Sequence, residues 1–240
     1  MCLIAIAHRV SKEWPLVIAA NRDEQYARPT RAAHAWKENP EVIGGRDLRA
    51  GGSWLAVRRG GRFAAVTNVR GVGGEGGPSR GLLVSGFVLE DEPPLPYAKA
   101  IRGDAYAGFC LIVGDGDVVQ LDNAGEGAGA PLKEKFFAVS NAPPGADWPK
   151  VAIGRDYLAA AMAKHDSADD LAAELLKFLG TPRRAPIESE VFVHTRAYGT
   201  RSSTVILVDA NKEVLFVEQN YTPTGARDGD AVRFRLPSPS

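Results

Sequence analysis

The sequence predicts an α+β protein in which two mainly antiparallel sheets pack together and are flanked by helices. The first strand-like runs are apolar on both faces, as strands covered on each side must be. About ten such runs are spread along the chain between turn signals. The helical patterns fall in two separate groups, which argues against a plain β-sandwich.

In chain order, Cys2–His8 sets Leu3, Ala5 and Ala7 against Ile4 and Ile6, and Leu16–Ala20 repeats that two-sided apolar character. Strand-like runs follow at Gly52–Val57, Phe63–Val69, Phe109–Val113, Val118–Leu121, Phe136–Ser140, Ser203–Val208, Val214–Glu218 and Val232–Leu236. Gly60-Gly61 marks a hairpin. Ser79–Glu90 and Pro96–Arg102 form the first helical group, and Val151–His165 opens the second. The last helix begins at a capping box, Ser167 with Asp170. It carries the stripe Leu171, Leu175, Phe178 and Leu179, and ends at Gly180 and Pro182. The Gly-rich stretch Gly71–Pro78 lacks the Gly-Lys-Ser/Thr ending of a phosphate loop. It reads as a surface loop or as a lid over a pocket.

At 240 residues without an internal repeat or linker, the chain is read as one domain over 1–240. Lys plus Arg and Asp plus Glu both total 29. That balance offers no field for a nucleic-acid backbone or an anionic membrane. The apolar start has no basic region before it and is too short to span a bilayer, so a cytoplasmic protein without membrane insertion is expected. Its two cysteines make no disulfide framework. Histidines 8, 34, 165 and 194 show no triad or ligand spacing, so no metal is expected.

Cys2 carries the chemistry. Removal of Met1 would leave a thiol and a free α-amine on one residue. The amine, with a pKa of about 8, can take a thiol proton near neutral pH. The competing reading is a small buried hydrophobe. The next strand runs into Asn21-Arg22-Asp23-Glu24, and pairing of the first two strands would bring this cluster beside Cys2. A guanidinium there favours thiolate, and a carboxylate could hold the amine. Asn68 and Asn141 each end a strand and could donate to an oxyanion, or serve as turn residues. Arg201 starts a late strand, as a second cation over the site or as an exposed arginine.

The MCL start, Asn21–Glu24, Gly44-Gly45-Arg46-Asp47, Gly51–Leu55 and Thr67–Gly71 together resemble the NRDE family, the homologues of transport and Golgi organisation protein 2. That family is similar in turn to the N-terminal-nucleophile hydrolases, especially choloylglycine hydrolase and penicillin V acylase. The resemblance implies a four-layer αββα sandwich and a hydrolase of small non-peptide amides or acyl compounds. Cys2 would be nucleophile and Arg22 its neighbour, with Asn68 and Asn141 about the oxyanion and Arg201 in support. Asp23 would complete the catalytic set, and Asn21 and Trp54 are taken as substrate-binding candidates. In the hydrolases the aspartate stands a few residues beyond the arginine, whereas here Arg22 and Asp23 are adjacent. No cofactor is required. Family associations also allow a carrier of haem or acyl-CoA. The partner implied is a small-molecule ligand or substrate, and oligomeric state is left open.

Overall fold

The structure, a computed structural model, describes residues 2–69, 71–72, 77–125, 129–142, 146–182 and 186–239. The centre of the Gly-rich stretch, residues 73–76, lies outside them, as does Met1. Within 1–240 the backbone groups into two compact units. The first comprises Met1–Arg28, Glu134–Ser140 and Asp147–Ser240; the second comprises Pro29–Lys133 and Asn141–Ala146.

The first unit is built on a six-stranded sheet. Its strands are β1 (Leu3–His8), β2 (Leu16–Gln25), β10 (Phe136–Ser140), β11 (Tyr198–Val208), β12 (Val214–Asn220) and β13 (Val232–Leu236). They lie in the order β10-β1-β2-β11-β12-β13, all neighbours antiparallel. Period-two alternation puts Leu3, Ala5, Ala7, Val17, Ala19, Val205 and Leu207 on one face. There they meet Leu158 and Ala161 of α3 (Pro149–Lys164) and Leu171, Leu175, Phe178 and Leu179 of α4 (Ala168–Leu179). The expected capping box starts α4, where the Ser167 hydroxyl accepts from the Asp170 amide at 3.4 Å. The other face carries Ile4, Ile6, Ile18, Ile206 and Phe216, also buried.

The second unit is a seven-stranded meander, β3 to β9 in sequence order, with helices α1 (Gly81–Leu89) and α2 (Pro94–Ala100) packed on it. Its strands are β3 (Thr30–Ala35), β4 (Val42–Asp47), β5 (Leu55–Arg58), β6 (Phe63–Asn68), β7 (Phe109–Asp115), β8 (Asp117–Asp122) and β9 (Ala130–Pro131). Gly60 and Gly61, both at positive φ, turn β5 into β6. Strands β3 and β4 were not expected. In β4, Gly44 and Gly45 hide the pattern, because glycine is depleted in strands. They are needed by close packing. A Cβ on Gly44 would lie 2.8 Å from that of Ala56, and one on Gly45 would collide with the Trp54 ring.

Buried Arg62 ties the α1–α2 segment to this sheet. It donates from Nε to Phe87 O at 2.9 Å and from Nη2 to Glu92 O at 2.6 Å, and it pairs with Asp115 at 3.0 Å. Arg62→Met therefore leaves two carbonyls without their donor, and should lower stability by about 3 kcal/mol. Arg59→Met, which loses a surface pair with Glu41, should stay within about 1 kcal/mol. Urea midpoints compare the two, and equal losses would contradict this ranking.

Candidate active site

Cys2 enters β1 half-buried, where its backbone is held from both sides. Leu3 pairs with Ser140 of β10 and with Asn21 of β2. The Ser140 hydroxyl donates to Cys2 O at 2.7 Å. The β1–β2 hairpin thus brings the Asn21–Glu24 cluster to the thiol, as the sequence led us to expect. Cys2 Sγ donates to the Asp23 backbone carbonyl at a long 3.8 Å.

The cluster divides by strand alternation. Asn21 and Asp23 continue the face of Val17 and Ala19, toward α3 and α4, whereas Arg22 lies with Ile18 and Ala20 on the other. Cys2, preceding Leu3, falls on the side of Ile4 and so of Arg22. Asn21 is spent on the fold. Its Nδ2 donates to Leu179 O and Val191 O, both at 2.9 Å, and its Oδ1 accepts from Ser203 Oγ at 2.6 Å. The Asn21 amide is thus committed beneath α4. Arg22 is buried and approaches Glu24 at 3.8 Å, and Glu24 also approaches Arg28.

Asp23 is the hub of the face toward the helices. Its Oδ1 accepts from Thr200 Oγ1 at 2.7 Å, and Thr200 Oγ1 in turn accepts from the Val193 amide at 2.9 Å. Burial raises the carboxyl above its usual range, while the N-terminal amine, the charge of Lys150 and the Thr200 hydrogen bond pull it down. Lys150 has no exposed surface, donates from Nζ to Glu190 O at 3.0 Å, and lies in the first turn of α3. A cation there is disfavoured by burial and by the helix dipole alike. The charge of Asp23, with which Lys150 interacts, offsets part of that cost.

Burial pushes the Cys2 thiol up; the N-terminal amine opposes it, the Asp23 carboxylate adds to it, and Arg22 opposes it least. The balance keeps the sulfur protonated, so Arg22 by itself does not make the thiolate expected from the sequence. A base is required. Cys110 is inert by comparison, fully buried and pushed up to about 12.

Arg201 is the extra residue of a β-bulge, since Thr200 pairs with Asp23 and Ser202 with Arg22. Its Nη1 donates to the carbonyls of Gln25, Tyr26 and Arg28, each at 3.2 Å. It closes the end of β2 rather than presenting that nitrogen to Cys2. Asn68, Asn141 and Trp54 belong to the second unit. Asn68 is exposed at the end of β6, and Asn141 is buried immediately after Ser140. The Trp54 ring lies against Gly45. Lys150, Thr200 and Tyr198 were missed by sequence reasoning. The one signal for Lys150 was a cation at a helix start with no acid in that turn.

A raised carboxyl also sets a pH dependence. Folded Asp23 holds its proton above the unfolded value of about 3.9, so it favours the folded state at low pH. That contribution fades as pH rises from the unfolded value through the raised one. Asp23→Asn, which still accepts from Thr200, should flatten the fall in urea-unfolding stability across this window. An unchanged slope would remove Asp23 as its source.

Among the described residues, no group of three or more His, Cys, Asp or Glu is placed to hold a metal, and no helix is long and apolar enough to cross a membrane. Both cysteines are free. Residues 1–223 match the family described as Transport and Golgi organisation 2. The Transport and Golgi organization protein 2 homolog of Bos taurus is 36% identical, over 92% of this chain and 93% of that protein. The Mus musculus homolog is 34% identical over the same shares. Among solved structures, a conjugated bile acid hydrolase from Clostridium perfringens, mutated from cysteine to alanine at position 2, superposes with a TM-score of 0.56. It does so at 10% identity, over 98% of this chain and 92% of that one. An arginine-to-leucine variant of that hydrolase gives 0.55 at 9% identity, over the same shares. These likenesses bear out the expected α+β, N-terminal-nucleophile-hydrolase-like fold.

Proposed function

This chain belongs to the Transport and Golgi organisation 2 family, and we propose that it is an N-terminal-cysteine amidohydrolase acting on a small non-peptide amide or related acyl compound. The observation that carries the reading is the half-buried Cys2 thiol seated against the Asp23 backbone at the start of an interior strand. The fold, shared with a hydrolase of conjugated bile acids, agrees with it.

The chemistry follows from a thiol that burial keeps protonated. With Met1 removed, the Cys2 α-amine takes the thiol proton as sulfur attacks the acyl carbon. The amine returns that proton to the leaving nitrogen as the C–N bond breaks, leaving a thioester on Cys2. Water then adds to the thioester carbon, the C–S bond breaks, and acid and free thiol are released. Arg22, on the thiol's side of the sheet, favours the anionic sulfur during attack. The charge of Lys150 acts on Asp23, so the amine meets a hydrogen-bonding carboxylate whose own charge is partly offset. The two free thiols suit a reducing, cytosolic setting.

The test compares mature protein, its lost Met1 verified by intact mass, with protein carrying an uncleaved N-terminal extension. Both are assayed against N-acyl amides of graded acyl length. Turnover by the mature form alone is expected, and equal turnover by the extended form would exclude the amine as base. Absence of turnover by either, with a Cys2-dependent spectral change on haem titration, would replace the hydrolase by the binding protein.

A further inference from the structure

The Asp23 carbonyl that receives the Cys2 thiol has a second donor. Tyr198, at the start of β11, donates its hydroxyl to the same oxygen at 3.0 Å. Its backbone is fixed by Thr195, whose hydroxyl and amide both donate to Tyr198 O, at 2.6 and 3.0 Å. Strand pairing of Tyr198 with Gln25 sets the register that brings the phenol over β2. A carbonyl has two lone pairs, so both donors can be held together. They are unequal. A thiol is a weak donor, and its 3.8 Å contact is long, while the phenol makes an ordinary hydrogen bond.

We propose that Tyr198 is a positioning residue for Cys2, keeping the buried Asp23 carbonyl hydrogen-bonded so that the thiol can leave it to react. Resting on the reading of Cys2 as nucleophile, this names a group which that reading did not use. The thiol cannot attack while its proton points at Asp23 O. If the thiol were that oxygen's sole donor, each departure would orphan a buried acceptor, at a cost of about 1–3 kcal/mol. The phenol removes that cost, because the oxygen keeps its stronger partner whether or not the sulfur is present. It also draws electron density from the carbonyl and lessens its repulsion of a forming thiolate. The charged groups acting on this sulfur, the N-terminal amine, Asp23 and Arg22, are all retained when Tyr198 is changed.

Tyr198→Phe keeps the ring and deletes the donor. In a Cys110→Ala background, with Met1 removed, iodoacetamide alkylation of Cys2 is followed against pH. The phenylalanine variant should react about tenfold more slowly at neutral pH and show its half-maximal rate at higher pH. Site-specific 3-fluorotyrosine, a stronger donor of nearly the same shape, should react faster than the parent. An alkylation profile unchanged in both proteins would overturn the proposal, and so would a slower fluorotyrosine protein. Because alkylation needs no substrate, failure of the hydrolase reading appears separately, as absence of amide turnover or as turnover that survives loss of the thiol.

Discussion

Alanine at Cys2 should lower amide turnover by about 10³-fold or more, as loss of a catalytic nucleophile does elsewhere, while alanine at Cys110 should leave it within about twofold. The comparison is clean because alanine, like cysteine, permits removal of Met1, so both proteins present a free α-amine. The small loss of half-buried volume at Cys2 should cost no more than about 1 kcal/mol of stability. A catalytic deficit of about 4 kcal/mol or more therefore cannot be ascribed to unfolding. Cys110 is the internal control, a thiol too deeply buried and too weakly acidic to attack anything. Steady-state hydrolysis with burst analysis measures both variants. Turnover that survives Cys2→Ala would end the covalent mechanism.

Lys150→Met should destabilise the first unit by about 3 kcal/mol near pH 8, because it strips a counter-charge from buried Asp23. The loss should shrink as pH falls, because Asp23, its carboxyl already raised by burial, takes up a proton more readily and then no longer needs a cation. Asp23→Asn by itself leaves buried Lys150 without its carboxylate and costs stability in turn. The double variant, neutral at both positions, should lose clearly less than the sum of the two, with a coupling of about 1–3 kcal/mol. Urea unfolding of the four proteins at pH 5 and pH 8 gives the cycle. Additive losses that do not change with pH would mean that the two groups do not act as a pair.

The strands and helices with a clear period were legible because burial enforces that period locally. Phe136–Ser140 and Val232–Leu236 have the bounds expected, and the four helices begin and end within about two residues of their signals. Strand β2 runs on to Gln25, past the apolar run that announced it, because Arg22 and Asp23 are buried polar residues held by pairing with β11. Strands β3 and β4 were illegible for a related reason. What makes them strands is close approach to Ala56 and Trp54, and composition records only the glycines that permit it.

In the site, the chain's own order sufficed for Cys2 and its cluster, since a hairpin between two adjacent strands brings residue 2 opposite residues near 22. Which way each side chain turned was beyond that order. Alternation across a pleated strand sent Asn21 and Asp23 to the helices and Arg22 to the other face, and a bulge one strand away aimed Arg201 at the carbonyls ending β2. Lys150 and Tyr198 reach Asp23 from more than 120 residues away. Local sequence carries periodicity and short turns, so it named the nucleophile. The charges and hydrogen bonds that tune it exist only where distant segments are buried together.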